Sequence, residues 1–379
     1  MRPILVSIPA KFLFFVALAG ALVVFVRELL QRRAAKSAPF SSTPLYLLVG
    51  AVAIYGKLGD WSFGHPWKPV PIYSYGVMLG TSLVVGWFLA MKFATEDQID
   101  QQEAGTIYMW TAVWAIIGSR VLWFINVLTD PTQPNVSFLD LFKVWQGGLV
   151  AYGGMIGGFL ASWYGCHKRK IPLLKWADVS APSVVLGTGI TRIGCFLFGC
   201  DYGKVTNLPW AVRFPGRNPL APYGSPAWQH HLEIGGLARS ATQSLPVHPT
   251  QIYESLAGLL LFGLLILIRR HRRFSGQVFL GWVIGYGILR PLIEMFRDDQ
   301  DRGIYPLPFT NLSFSTSQYI GGISVILGLG LLVSLVRRYR RDPDSLRLWL
   351  TPTLATAGGP SAGAPAGGNR PANKRRKRR

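Results

Sequence analysis

The sequence is poor in charge, in acidic residues and in cysteine, and each shortage excludes a class of protein. Only 15% of its 379 residues are charged, whereas about 25% is usual in soluble domains. Acidic residues number 18 against 39 basic ones, and the only cysteines are Cys166, Cys195 and Cys200. Three cysteines at these spacings predict neither a disulfide framework nor a metal site. No HExxH, GxSxG or P-loop motif occurs, so we predict no metal ion and no cofactor.

Long uncharged, apolar segments are what the sequence has instead. Residues 69–91 and 144–166 carry no charge, and both exceed the roughly 20 residues that a helix needs to cross a bilayer. We therefore predict an all-α polytopic membrane protein. The expected spans are residues 5–26, 40–57, 72–92, 106–128, 147–166, 177–199, 250–269, 277–297 and 317–336.

The first two spans form an N-terminal addition to a core of seven. The apolar run Phe12–Val26 resembles the core of a signal peptide, but Arg27 and Glu28 stand where a small-residue cleavage site belongs. This favours a retained membrane anchor. We predict N-terminal spans in 1–60, a membrane core in 61–340 and a disordered basic tail in 341–379.

Basic clusters follow alternate spans and predict the topology. They lie at 27–36, 168–175, 269–273 and 337–341, and the positive-inside rule places them in the cytoplasm. Residues 200–249 then form a small extracytoplasmic cap. The tail, with seven basic residues among its last ten, is predicted to meet the membrane surface, and no nucleic acid is expected as a partner.

Arg192 interrupts an otherwise uncharged stretch, Val179–Cys200. A guanidinium cannot lose its proton, so at membrane depth it requires anionic or carbonyl partners. It could grip a phosphate or form a structural ion pair. The residue alone leaves both interpretations open.

Other polar residues fall at the same predicted extracytoplasmic level as Arg192. They are Tyr75, Arg120, Tyr152, His248, Arg290, Glu294 and Arg297. The last three are separated by four and three positions, so they share one helix face. Such a stripe must face the protein interior or a wet cavity, as an ion-pair strut or as a site. The glycine pairs between 147 and 158 indicate close helix packing, which is compatible with exposure of backbone to a substrate.

A cationic pocket at this level suits an anionic phospholipid headgroup. Two arginines could hold the phosphate and offset the charge that develops on a phosphate leaving group. His248, Glu254, Glu294 or Tyr152 could take a proton from a nucleophile. Because no recognised nucleophile motif occurs in the chain, we expect the nucleophile to arrive on a second substrate.

Five segments resemble the prolipoprotein diacylglyceryl transferase family in order and in residue type. The Arg-Ile-Gly-Cys-Phe signature is the most specific, and the resemblance covers roughly residues 70–340. The segments are Tyr75-Gly76, 147–154, 192–203, 248–254 and 286–297.

The resemblance implies transfer of diacylglyceryl from phosphatidylglycerol to the lipobox cysteine of a prolipoprotein, with release of glycerol phosphate. It implies that Arg192 binds phosphatidylglycerol, with Gly203 and Arg297 beside it. It implies that Arg290 is a second arginine required for activity and that Glu294 is its partner on the same helix. It also places Tyr75 at a functional position of the family. We expect a monomer in the bacterial inner membrane, with its active site facing the outer leaflet.

The sequence departs from the family pattern at three positions. Many members carry histidine where this chain has Tyr152, and that histidine is commonly proposed as the base for the thiol. Some members have Asn and Glu where this chain has Cys195 and Cys200. A phenol is a poor base at neutral pH, so Tyr152 is expected to orient substrate. A transporter or binder of anionic lipid, and an inactive relative of the transferases, are the alternative hypotheses.

Overall fold

A computed structural model describes residues 4–9, 69–129, 137–142, 148–218, 223–238, 240–298, 304–306 and 313–346. The predicted span 40–57 and the basic tail beyond 346 lie outside these residues. Of the predicted span 5–26 only the beginning is described, and its helical assignment is wrong there. Ile4–Pro9 is strand β1, which pairs antiparallel with strand β2, Pro69–Tyr73. Alternating β-branched residues at 4, 6 and 8 suit a paired strand better than a helix.

The rest of the described chain is mainly helical. The first four helices are α1 (Ser74–Glu96), α2 (Gln101–Thr129), α3 (Ala151–Lys168) and α4 (Leu173–Phe198). The next four are α5 (Pro226–Glu233), α6 (Thr250–His271), α7 (Gln277–Glu294) and α8 (Thr316–Arg341). Strands β3 (Ile304–Pro306) and β4 (Ser313–Ser315) form a second antiparallel pair before α8. Short 3-10 turns occur at Phe138–Phe142 and Pro343–Leu346.

Five of these helices are long and apolar enough to cross a membrane, judged by length and composition within the described residues. They are α1, α2, α4, α6 and α8. The predicted spans 147–166 and 277–297 form the 18-residue helices α3 and α7. The side of the membrane that each loop occupies stays a prediction.

The chain divides into two compact units, residues 1–93 with 177–340, and residues 94–176 with 341–379. In the first unit, Leu261 and Leu265 of α6 pack with Ala181, Val185 and Val278 in one apolar core. The fully buried carboxylate of Asp178 accepts hydrogen bonds from the backbone nitrogens of Gly276 and Phe279, each at 2.8 Å. The start of α7 is thereby tied to α4, because these donors have no partner within the helix.

The second unit is built on a close α2–α3 contact. A Cβ added to Gly153 would lie 2.2 Å from the carbonyl oxygen of Gly118, and one added to Gly157 would lie 2.2 Å from that of Trp114. Only glycine permits this approach of two helix backbones. The glycine pairs of α3 therefore have the packing role that the sequence indicated.

We expect Gly153→Ala to lower the thermal midpoint of the detergent-solubilised protein, with a loss of about 1–3 kcal/mol from overpacking. Gly158→Ala on the same helix is the matched control, because its Cβ would meet side chains at an ordinary 3.5 Å. That control is expected to match or slightly exceed the wild-type midpoint, since alanine favours helix by about 1 kcal/mol over glycine. Equal midpoints for the two variants in a thermal-shift assay would contradict a tight contact at Gly153.

Candidate active site

Charged side chains from three segments of the first unit meet in one ion-pair network. Arg192 comes from the last two turns of α4, and Asp201 comes from the turn that follows α4. Glu254 lies one turn into α6. The end of α7 and the residues after it contribute Arg290, Glu294 and Arg297.

Arg192 is held on two edges of its guanidinium by two different carboxylates. Its Nη1 atom lies 2.8 Å from Oδ2 of Asp201, and its Nε atom pairs with Oε2 of Glu254. The planar fork of arginine allows this arrangement, which a single ammonium point charge does not reproduce. Arg192 thus has the anionic partners that an arginine at this depth requires.

Glu254 contacts all three arginines of the network. Its Oε1 atom pairs with Nη1 of Arg290 and lies 3.6 Å from Nη1 of Arg297, while its Oε2 atom pairs with Arg192. Only 7% of its side chain is exposed. Replacement of this buried carboxylate by a neutral group is strongly destabilising, because it leaves several guanidinium groups without their counter-charge.

Arg290 and Glu294 pair along α7 as their spacing predicted, whereas Arg297 lies three residues beyond the end of that helix. Glu294 lies 3.0 Å from Nη2 of Arg290 and 4.0 Å from Nε of Arg297. Arg297 also reaches Oδ1 of Asp201 at 2.5 Å. Three arginines therefore face three carboxylates, and the network has no net charge when all six groups are ionised.

The Asp201 carboxyl is ionised over the physiological range. Burial raises its pKa, but Arg192 and then Arg297 outweigh that effect and lower the pKa to about 2. Its two oxygens are divided between the two arginines, with Oδ2 toward Arg192 and Oδ1 toward Arg297. Asp201 thus connects the end of α4 to the end of α7.

A tight turn directs Asp201 back toward α4. Gly199 has φ of +90° and Asp201 has φ of +54°, both in the left-handed region. Thr250 Oγ1 donates to the carbonyl of Asp201 at 2.6 Å, and Gln251 Nε2 donates to that of Cys200 at 2.5 Å. The first turn of α6 therefore holds the strained turn in place, which the non-glycine residue at positive φ requires.

Gly203 follows this turn and is buried. Its nitrogen donates to the carbonyl of His248 at 3.1 Å, and it forms an isolated antiparallel bridge with Arg297. An added Cβ would lie 2.7 Å from the His248 carbonyl and 2.8 Å from that of Phe296. Close backbone packing thus accounts for glycine here, and contact with substrate stays a prediction.

His248 lies beside the network in an aromatic cluster. Trp210 Nε1 donates to the hydroxyl of Tyr253 at 2.8 Å, and that hydroxyl lies 3.2 Å from Nδ1 of His248. The His248 ring also packs against Phe296, with centroids 5.3 Å apart. The Tyr253 hydroxyl thus links Trp210 to His248, and in the contact with His248 either the hydroxyl or Nδ1 can be the donor.

Tyr75 begins α1 and backs onto α4. A Cβ added to Gly194 would lie 3.0 Å from the Cα of Tyr75, so glycine permits this approach next to Arg192. The Tyr75 side chain is 40% exposed. It therefore lies on the same unit as the network with an accessible phenol.

Tyr152 and Arg120 belong to the second unit. Tyr152 lies in the first turn of α3 with 39% of its side chain exposed. Arg120 is buried and donates to the carbonyls of Asp140, Leu141 and Gly148 at 2.5, 3.1 and 3.0 Å. These bonds give Arg120 a structural role, because they anchor the segment between α2 and α3.

Comparison with known proteins identifies the family. The family model described as prolipoprotein diacylglyceryl transferase matches residues 65–334. The chain belongs to the prolipoprotein diacylglyceryl transferase family. Family membership and the apolar helices together make it a multi-pass membrane enzyme of the transferase class.

Three curated relatives match this chain over nearly all of their own length. The phosphatidylglycerol–prolipoprotein diacylglyceryl transferase of Clostridium tetani is 31% identical over 276 residues, which are 72% of this chain and 95% of that protein. The same enzyme of Geobacter sulfurreducens is 31% identical over 270 residues, with 70% and 91% covered. That of Erwinia tasmaniensis is 32% identical over 292 residues, with 73% and 91% covered.

This diacylglyceryl transferase family member has a small, mainly apolar pocket that reaches the network. Glu254 and Arg290 stand at its polar end, Tyr286 lines it, and apolar side chains of α4, α6 and α7 supply most of the wall. A pocket with apolar walls and a few convergent polar groups is typical of a ligand site.

The sequence underestimated two members of the network in this transferase. Asp201 received no role of its own within the predicted 200–249 cap, although the Cys-Asp-Tyr-Gly sequence at a helix end indicates a turn that presents a carboxylate. Glu254 was considered only as a proton acceptor, whereas it pairs with Arg192 and Arg290. An acidic residue one turn into an apolar helix was the available signal.

Proposed function

We propose that the ion-pair network is where this enzyme transfers diacylglyceryl from phosphatidylglycerol to the lipobox cysteine of a prolipoprotein. The names of the related enzymes support the reaction and both substrates. The observation that carries the assignment of the site is a network of three arginines, largely withdrawn from solvent, in which Arg290 and Glu254 also line an apolar pocket. That combination matches a ligand with an anionic head and acyl chains.

Phosphate binding requires an exchange of partners. Arg192 and Arg290 are both paired with Glu254 before substrate arrives. A phosphodiester can take the place of this carboxylate, because guanidinium groups bind phosphate oxygens through the same bidentate geometry. We assign phosphate binding to Arg192 and Arg290, with Arg297 and Gly203 completing the wall behind them.

The transfer is a displacement at carbon. The sulfur of the lipobox cysteine bonds to the diacylglyceryl carbon, and the bond from that carbon to the phosphate oxygen breaks with its electron pair. Glycerol phosphate leaves with one additional negative charge. Preorganised arginines stabilise this charge as it develops, which is the kind of electrostatic contribution that lowers a barrier most.

A carboxylate of the network takes the proton of the thiol. Glu254 and Glu294 become available when phosphate draws the arginines away from them, and Glu294 is 2% exposed beside Arg290. His248 is placed less well for this step, because its Nδ1 atom is already engaged by the Tyr253 hydroxyl. We assign His248 and Tyr75 to substrate positioning.

Purified full-length protein, phosphatidylglycerol and a lipobox peptide test the reaction directly. Mass spectrometry is expected to show a thioether-linked diacylglyceryl peptide, and Arg192→Ala is expected to yield none. A competent peptide that binds without being modified would support a transporter or binder of anionic lipid instead. Failure to complement a transferase-depleted bacterium would favour an inactive relative.

Tyr152 is expected to position substrate rather than to transfer a proton. Tyr152→Phe should keep at least about a tenth of the wild-type kcat/KM, since one hydrogen bond contributes about 0.5–1.5 kcal/mol. Tyr152→His is the comparison, because it supplies the side chain found in many relatives. Loss of transfer in the Phe variant with full activity in the His variant would contradict the positioning role.

We further propose that the active site faces the outer leaflet of the bacterial inner membrane and that the enzyme acts as a monomer. The basic clusters after alternate spans support this orientation. The division into N-terminal spans (1–60), a catalytic core (61–340) that includes the 200–249 cap, and a cytoplasmic tail (341–379) is part of the same proposal.

A further inference from the structure

Cys195 and Cys200 lie together beside Asp201, although their spacing in sequence predicts no metal site. Their sulfur atoms and a carboxylate oxygen of Asp201 all lie within 4.8 Å of one another. Cys195 is buried, and the other two residues are partly buried. The left-handed turn at Gly199 and Asp201 creates this cluster, because it returns the chain toward the last turn of α4.

The spacing of the donor atoms suits a tetrahedral cation. Bonds of about 2.3 Å to sulfur and about 2.0 Å to oxygen separate two such donors by about 3.5 Å. Cys200 Sγ lies 3.5 Å from Oδ2 of Asp201. The widest separation in the cluster therefore has to close by only about 1 Å.

We propose that Cys195, Cys200 and Asp201 form a binding site for a thiophilic divalent cation such as Zn²⁺ or Cd²⁺, and that occupation of this site inhibits the transferase. Two thiolates and one carboxylate are a donor set that soft and borderline cations prefer. The cation is an inhibitor here, not a cofactor of the reaction.

Charge balance permits such a cation beside three arginines. Cysteine binds a metal as thiolate, so two protons leave when the cation enters. A charge of +2 then replaces two protons, and the net charge of the arginine–carboxylate network and its thiols does not change. The fourth coordination position is left for water.

Occupation of the site acts on Arg192. The Oδ2 atom of Asp201 is the atom that accepts the hydrogen bond from Arg192 Nη1 at 2.8 Å. The same Nη1 atom lies 3.7 Å from Cys195 Sγ. A cation that coordinates this oxygen and converts the Cys195 thiol to a thiolate changes the contacts of Arg192 with both residues. It therefore changes the position in which Arg192 binds phosphate.

Titration of the reduced, full-length protein with Cd²⁺ tests the site independently of transferase activity. We expect one Cd²⁺ per chain, with thiolate-to-cadmium absorption in the near ultraviolet that corresponds to two thiolates. Cys166→Ser is the matched control and keeps this signal, because Cys166 lies on α3 in the other unit. The double variant Cys195→Ser/Cys200→Ser is expected to lose it.

Two further measurements keep the proposal testable if the double variant folds poorly. In the wild-type protein, Cd²⁺ should slow the alkylation of Cys195 and Cys200 at least tenfold without changing that of Cys166. Protein loaded with Zn²⁺ and freed of unbound cation, which would also capture the thiol of the peptide substrate, should show inhibited thioether formation in wild type and in Cys166→Ser, with recovery on addition of a chelator. Equal Cd²⁺ binding by the double variant, unchanged alkylation, or a wild-type signal of one thiolate would overturn the proposal.

The inhibition rests on the proposed function, but the cation site does not. If Cd²⁺ binds with two thiolates and transfer is unaffected, the inhibitory part is wrong and the site stands. If the protein shows no transfer at all, the absorption and alkylation results still decide whether the cation binds.

Discussion

Arg192→Lys is expected to lower kcat/KM for thioether formation at least about 100-fold, equivalent to about 2.7 kcal/mol of transition-state stabilisation. Lysine retains the charge but has one ammonium where arginine uses Nη1 toward Asp201 and Nε toward Glu254. A point charge cannot hold both carboxylates and then present a planar fork to a phosphate. The measurement is steady-state transfer to a lipobox peptide with purified protein.

Arg217→Lys is the control for this substitution. Arg217 is an exposed residue over the ring of Trp228, at 5.9 Å from the centroid. We expect this control to keep near-wild-type transfer and the same thermal midpoint. Turnover of Arg192→Lys within about threefold of wild type would exclude a bidentate phosphate contact at Arg192.

Glu254→Gln is expected to destabilise the protein by about 3–5 kcal/mol, because removal of one partner from a buried ion pair leaves charge uncompensated. Glutamine is almost isosteric with glutamate, so packing is retained while three arginines are left facing two carboxylates. Transfer should fall with stability, since Arg192 and Arg290 lose their common partner. Thermal unfolding in detergent, followed by tryptophan fluorescence, measures the first effect.

The exposed pair of Glu103 and Arg169 supplies a matched control. Glu103 is 49% exposed in that pair, and exposed pairs contribute at most about 1 kcal/mol. Glu103→Gln should therefore shift the midpoint little. A double variant, Glu254→Gln with Arg297→Gln, restores neutrality and is expected to regain much of the midpoint without regaining activity. If Glu254→Gln and Glu103→Gln shift the midpoint equally, Glu254 does not hold the network together.

The sequence predicted the Arg290–Glu294 pair because helical periodicity places these two residues on one face, whereas Arg297 meets Glu294 from beyond the end of α7. It could not predict that Glu254 meets Arg192, because 62 positions separate them and only the packing of α6 against α4 brings them together. The role of Asp201 depends on a left-handed turn that is held by Thr250, and no local pattern specifies such a contact. The assignment of residues 5–9 to a helix was wrong because hydropathy does not reveal pairing with a distant strand.

The distribution of charge along the chain has a consequence for biosynthesis. Arg192, Asp201 and Glu254 together carry a net charge of −1, whereas Arg290, Glu294 and Arg297 carry +1. During synthesis from the N-terminus, the first group enters the membrane without its counter-charge. The network becomes neutral only when α7 and Arg297 have been added. α7 and Arg297 thus supply the missing counter-charge in addition to apolar surface.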